Sequence, residues 1–350
     1  MNRPNRPNRP NRQALMRRSM VILLAAACSK AAEAPPAQTA AAAAAAAPVW
    51  RDSAPHTERW VQANGARLNV MDWGGSGPVL ILIHGYGDSP HIFDDLAPAF
   101  TDSFHVVAYA RRGHGKSTAG ESFSNATLAA DLIAVMDSLG IARASLAGWS
   151  MGGNEITAAA GMYPDRVEKI VYLDGAYDWS ELMSNQAALA DLPVSLDPTP
   201  EARASLDAFK AWYRAGWFPD VDLSRLEAHV RELDNIQPDG SASPVPDSAN
   251  SARAFAALAS EKRDYRKVKA PALAIYSEVF FSPLVKDSAT AERIKAWETK
   301  HMVPFRKASQ ARIKRELKSV EIVTVPGSHA SFVFVSLDSI AAAMRKFLAP

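Results

Sequence analysis

Ser150 stands between two glycines in Gly148-Trp149-Ser150-Met151-Gly152, at the end of the apolar run "IARASLAGWS" and ahead of a small-residue stretch that stops before Pro164. A serine hydroxyl becomes a useful nucleophile only when a base takes its proton. The spacing predicts a sharp strand-to-helix turn that strains the serine backbone, so small residues must flank it and the hydroxyl projects at the carboxyl edge of a sheet. The alternative is an ordinary turn serine. Two further stretches favour a nucleophile. "ILIHGYGDS" places His84-Gly85-Tyr86-Gly87 after another apolar run. Acyl transfer needs backbone donors for the oxyanion, and the N–H groups of Tyr86 and Met151 are the candidates. "VPGSHASF" places His329 late in the chain, in a loop of small residues after a strand, where a general base can reach Ser150.

His329 has that placement alone among eight histidines. His56, His105, His229 and His301 are expected to be surface or structural, and His84 to be a packing residue. His91 and His114 lie near the expected mouth. No H-E-x-x-H and no clustered Cys/His spacing points to a metal, and no cofactor is expected.

The elements that must position these residues follow from hydrophobic patterning. "RWVQANGARLNVMDWGG" has two alternating runs joined by Asn64-Gly65, a hairpin signal. "PVLILIHG", "HVVAYARRGHG", "IARASLAGWS", "VEKIVYLDG", "PALAIYS" and "VEIVTVPG" read as strands, several of them continuously apolar as strands covered on both faces should be. Leu128, Leu132, Val135, Met136 and Leu139 recur at helical spacing before Gly140, and Ile340, Met344, Phe347 and Leu348 mark a closing helix. Strands alternating with helices predict an α/β fold, a mostly parallel sheet with helices on both faces. Residues 49–178 and 270–350 form this predicted core. Residues 179–269 break the rhythm with helical patches and a polar loop, and read as a helical cap inserted between two late strands. A long helix with an interruption near Pro304 is expected between the last two strands.

From about Arg59 onward the chain resembles the α/β-hydrolase superfamily, on "HGYGDS", "RRGHGKS", "GWSMGG" and "PGSH" in that order. The resemblance implies Ser150 as nucleophile, His329 as base, and Tyr86 and Met151 as oxyanion donors. Ala110 stands where relatives often carry a structural aspartate. The acid of the triad is where the chain departs. In most relatives it comes three residues after a glycine ending the strand that here reads "PALAIYS". Ser277 stands in the glycine's place, and Phe280 where the acid would be. Asp174, ending "IVYLD", is the favoured acid because some branches take it from that strand. Glu278 is the alternative, with Asp178 and Asp287 behind.

Composition narrows the classes. The chain has 350 residues, a formal net charge of +2 and a single cysteine. That charge gives no general reason to expect nucleic acid as a partner. "MRRSMVILLAAACSK" has a basic stretch, a short apolar run and then Cys28, the layout of a secretory signal over residues 1–28. It also resembles a bacterial lipobox, which implies lipidation at Cys28 and a membrane anchor in the cell envelope. Plain cleavage, giving a periplasmic or secreted protein, is the alternative. Residues 29–48, rich in Ala and Pro, read as a tether.

A serine at the elbow argues against dehalogenases and epoxide hydrolases, which use aspartate there. The expected reaction is hydrolysis of a small-molecule carboxylic ester through an acyl-enzyme. Trp149 with Trp212 and Trp217 of the cap are candidate substrate contacts, although the cap aromatics could instead form the cap's own core. The alternatives are an aminopeptidase or other amide or C–C hydrolase, and a non-catalytic binding protein on the same scaffold.

Overall fold

A computed structural model describes residues 50–349 except 53, 197 and 234–247. Cys28, the expected signal and the tether lie outside the described residues, as does part of the polar cap loop.

Eight strands form one sheet: β1 (Thr57–Ala63), β2 (Ala66–Gly74), β3 (Val79–Ile83), β4 (His105–Tyr109), β5 (Ala144–Trp149), β6 (Val167–Leu173), β7 (Ala272–Val279) and β8 (Val320–Ser328). Their order is β1-β2-β4-β3-β5-β6-β7-β8. The pairs β1–β2 and β2–β4 are antiparallel, and every other pair is parallel. The first hairpin closes with Ala63 opposite Ala66, and both Asn64 and Gly65 have positive φ, as a tight two-residue turn demands.

The apolar runs alternate between two cores because successive strand side chains point to opposite faces. Ile81 and Ile83 of β3 pack with Leu128, Leu132 and Val135 of α1 (Asn125–Ser138) and Ile156 of α2 (Gly152–Met162). Leu80 and Leu82 pack on the other face with Phe93 and with Ile340 and Met344 of the closing helix Leu337–Leu348. Each such side chain contributes roughly 1.5–3 kcal/mol by burial.

Between β6 and β7 the described residues contain helices and no strand: α3 (Trp179–Met183), α4 (Gln186–Ala190), α5 (Leu206–Gly216), α6 (Glu227–Leu233) and α7 (Ser248–Ser260). Between β7 and β8 lie α8 (Ser288–Trp297) and α9 (Val303–Glu316), joined by a π-helical turn at Glu298–Met302. The expected interruption is therefore this wide turn. Pro304 is accommodated in the first turn of α9, where its missing N–H costs no hydrogen bond.

Candidate active site

The turn after β5 has the predicted geometry. Ser150 adopts φ +51, a left-handed conformation unusual for a residue with a side chain. The flanking glycines are required by close backbone approach. A Cβ on Gly148 would stand 2.5 Å from the Gly152 carbonyl oxygen, and one on Gly152 would stand 2.3 Å from that of Ile83. Met151 caps the N-terminus of α2, so its N–H belongs to the positive end of the helix.

The carboxyl ends of β5, β6 and β8 bring three side chains together. Ser150 Oγ lies 2.9 Å from His329 Nε2, and His329 Nδ1 lies 2.6 Å from Asp174 Oδ2. His329 is the first residue past β8, and its N–H donates to the carbonyls of Val279 and Phe280. Asp174 follows β6 with φ +43 and is fully buried. Burial alone would push its pKa up. The hydrogen bond and charge of His329, the Ser277 hydroxyl and the Arg306 charge reverse this and hold it below the usual value.

Glu278 does not reach the histidine. It alternates with buried Ser277 on β7, so its side chain is exposed, and its carbonyl accepts from Arg306 Nη1 at 3.1 Å. Asp178 is bonded to Arg312 Nη1 at 2.6 Å, and Asp287 caps α8 through the Thr290 N–H.

Five supporting residues carry no motif. The Ser277 hydroxyl donates to Asp174 Oδ2 at 2.6 Å, and the Tyr177 hydroxyl donates to Asp174 Oδ1 at 2.9 Å. Phe280 stacks on the His329 ring at 4.5 Å with an interplanar angle of 14°. Arg306 Nε donates to the Tyr177 oxygen at 3.2 Å, and its Nη2 lies 3.0 Å from Glu298. Glu298 also accepts from the Phe280 N–H at 2.9 Å. The departure of Ser277 and Phe280 from the family pattern was the only sequence signal for any of them.

Tyr86 lies on the loop after β3. A Cβ built on Gly85 would stand 3.2 Å from Ser150 Cβ, so this loop runs directly against the serine. His84 braces it. Its Nε2 accepts from the Arg111 N–H at 2.9 Å, which leaves the ring proton on Nδ1 to donate to the Gly85 carbonyl at 2.9 Å. Burial, then the nearby His114 and Arg111, keep this ring well below its usual pKa and hence neutral.

A cavity of about 500 Å³ opens over Ser150. Trp149, Trp212 and Trp217 all line it, as do Tyr86, Met151 and His329. Trp149 is buried and donates from Nε1 to the His329 carbonyl at 3.2 Å, which ties the base loop to the nucleophile strand. The aromatics between β6 and β7 both pack on one another and line the cavity. Tyr213 and Phe218 stack at 5.1 Å inside the cap and also face the cavity. His114 lines the cavity and His91 does not.

Among the described residues, Asp52, His56 and His91 form the one grouping with the side-chain types of a metal site, within 4.8 Å of one another. None lines the cavity. His91 Nδ1 is 3.0 Å from Asp94 and Nε2 is 3.3 Å from Glu232. Burial opposes a charge on this ring, but Asp94 and Glu232 outweigh it and raise the pKa to about 10. The imidazolium thus supplies the positive charge these carboxylates need. A raised pKa contributes stability that is complete below about pH 6.5 and fades as pH rises through about 10. His91→Gln is therefore expected to lower Tm most near pH 6 and progressively less toward pH 10. The charge-linked part is on the order of a few kcal/mol. A Tm difference independent of pH would contradict this.

The comparisons with known proteins agree with this architecture. A family model described as the alpha/beta hydrolase fold matches residues 78–300. The chain is 31% identical over 237 residues to 2-(acetamidomethylene)succinate hydrolase of Mesorhizobium japonicum, covering 67% of this chain and 81% of that one. It is 36% identical over 122 residues to epoxide hydrolase A of Mycobacterium tuberculosis, a match that spans 38% of that relative. The crystal structure of E-2-(acetamidomethylene)succinate hydrolase superposes with a TM-score of 0.62 at 23% identity, covering 84% of this chain and all of that one.

Proposed function

Since the chain belongs to the α/β-hydrolase family, we propose that it is a serine hydrolase that cleaves carboxylic esters through an acyl-enzyme. The observation that carries this reading is the continuous contact from Ser150 Oγ through His329 to Asp174, 2.9 and 2.6 Å, beneath a cavity.

In this reading His329 Nε2 accepts the Ser150 proton as Oγ bonds to the ester carbonyl carbon. The carbonyl oxygen takes up the negative charge between the N–H groups of Tyr86 and Met151. Asp174 holds the Nδ1 proton and stabilises the imidazolium. The tetrahedral species collapses, the alcohol leaves with the proton from His329, and a water activated by the same ring hydrolyses the acyl-serine. The aromatic walls from α5 and the adjoining Trp217 and Phe218 favour an apolar acyl group. The amide reading uses the same residues and is suggested by the acetamido compound in the Mesorhizobium relative's name.

The test is hydrolysis of p-nitrophenyl esters from acetate to palmitate, with labelling by a fluorophosphonate. Turnover that depends on Ser150 supports the esterase reading. Labelling of Ser150 without ester turnover would direct attention to amides or C–C substrates. Neither labelling nor turnover would favour a binding protein.

Ser277 acts through Asp174 and is a positioning residue. Ser277→Ala leaves the buried carboxylate short of one donor and is expected to lower kcat roughly tenfold, the scale of a hydrogen bond to a charged group. KM should move less. Restoration by Ser277→Thr would separate the lost hydroxyl from a packing defect, and an unchanged kcat in the alanine variant would remove the role.

Export with lipidation at Cys28 is part of the same proposal. It is supported by the basic, apolar and small-residue order of "MRRSMVILLAAACSK". Labelled fatty acid should enter the wild-type protein and not Cys28→Ser, which should leave the membrane fraction. A membrane-bound Cys28→Ser protein would overturn it.

A further inference from the structure

We propose that Asp88 makes the cavity beside Ser150 selective for acyl groups that carry a cation over those that carry a carboxylate. The inference rests on the reading of Ser150 as an acyl-transfer nucleophile.

Asp88 lies on the loop after β3, in "HGYGDS". A Cβ built on Gly85 would stand 2.6 Å from Asp88 Oδ2 and 3.2 Å from Ser150 Cβ, so the carboxyl and the serine border the same small volume. Asp88 lines the cavity, and its side chain is 19% exposed. The charges around it do not cancel it. Among the described residues, the basic group within ion-pair distance of it is His229, with Nε2 3.7 Å from Asp88 Oδ1. Burial drives the His229 pKa down to about 3, so that ring is neutral. Arg111 contributes a field that favours the anion; its Nε is bonded to Glu155 at 2.7 Å, and its buried Nη1 and Nη2 have no hydrogen-bond partner among the described residues. Of the cations on the cavity wall, Lys116 is held by Glu58 at 2.6 Å, and Arg203 has a partner of its own. Among the described residues of the wall, the carboxylate of Glu232 faces the His91 imidazolium at 3.3 Å.

Among the described residues Asp88 is thus a wall carboxylate beside the nucleophile that has no Lys or Arg within ion-pair distance. Two like charges in a space shielded from solvent repel strongly, whereas an ammonium in the same place is attracted. Burial pushes the Asp88 pKa up to about 7, so the group is ionised at pH 8.5.

The experiment compares methyl 4-aminobutyrate with monomethyl succinate at pH 8.5, with methyl butyrate as the neutral reference and Ser150→Ala as background. The two charged esters are close in length and opposite in charge. The wild-type protein is expected to show at least about a tenfold higher kcat/KM for the cationic ester than for the anionic one. Asp88→Asn, which keeps the shape and removes the charge, should reduce that ratio about tenfold. Equal wild-type rates for the two charged esters would overturn the inference, whether or not the variant folds, and so would a ratio unaffected by Asp88→Asn. If none of the three esters turned over above background, the esterase reading would fall, and this inference with it.

Discussion

Ser150→Ala is expected to lower kcat on a good p-nitrophenyl ester by about 10⁵- to 10⁶-fold and to abolish fluorophosphonate labelling. Removing a serine nucleophile elsewhere has effects of that size, because the remaining groups no longer act as a unit. Some acceleration over water should survive, since the proposed oxyanion donors, the N–H groups of Tyr86 and Met151, do not depend on the hydroxyl. The fold should not be the cause of the loss. Ser150 donates its own N–H to the Leu173 carbonyl at 3.1 Å, and that bond is independent of the hydroxyl. Alanine also tolerates the left-handed turn about as poorly as serine, so Tm should stay within a few degrees. A variant that kept even a hundredth of wild-type turnover would mean that another group attacks the ester.

Asp174→Asn is expected to cost about 10⁴-fold in kcat, and Glu278→Gln less than about threefold. The first estimate follows from the effect of neutralising a triad acid, which frees the imidazole to take the wrong tautomer. Here the environment sharpens it. Asp174 accepts from Ser277, Tyr177 and His329 at once, so the site is arranged for an acceptor with two anionic oxygens. An asparagine would turn an N–H₂ toward one of those donors. Glu278 lies on the opposite side of the strand from Ser277 with an exposed side chain, and its carbonyl accepts from Arg306. The reverse ranking would make Glu278 the acid.

How much of this was readable beforehand depended on how local each signal is. All eight strands lay in the stretches read as strands: β1 and β2 in the alternating pair around Asn64-Gly65, and β3 to β8 in the six that follow, several of them continuously apolar as strands covered on both faces should be. Asn64-Gly65 specified its hairpin, since few residue pairs accept two positive φ angles in a row. The turn at Ser150 was equally local, for its glycines answer to backbone atoms a few residues away or on the adjoining strand β3. The interruption of the long helix was placed near Pro304, while the widened turn begins earlier, at Glu298. A proline cannot continue the hydrogen-bond ladder of the turn before it, and the wide turn ends just ahead of Pro304.

The sequence by itself determined the core architecture and singled out the serine, the histidine and the loop that runs against them, since each depends on residue types within a few positions of one another. It left the carboxylate open between two strand ends and could not say whether the cap aromatics face inward or toward a substrate. Only the tertiary structure decided which carboxylate meets the histidine. The adjacency of β6 and β7 and the place where β8 ends put Asp174 rather than Glu278 beside His329. The alternation of β7 then turned Ser277 toward that carboxylate, while Phe280, in the position where relatives carry their acid, stacks on the imidazole. Contacts of this kind join residues more than a hundred positions apart, and no local pattern encodes them.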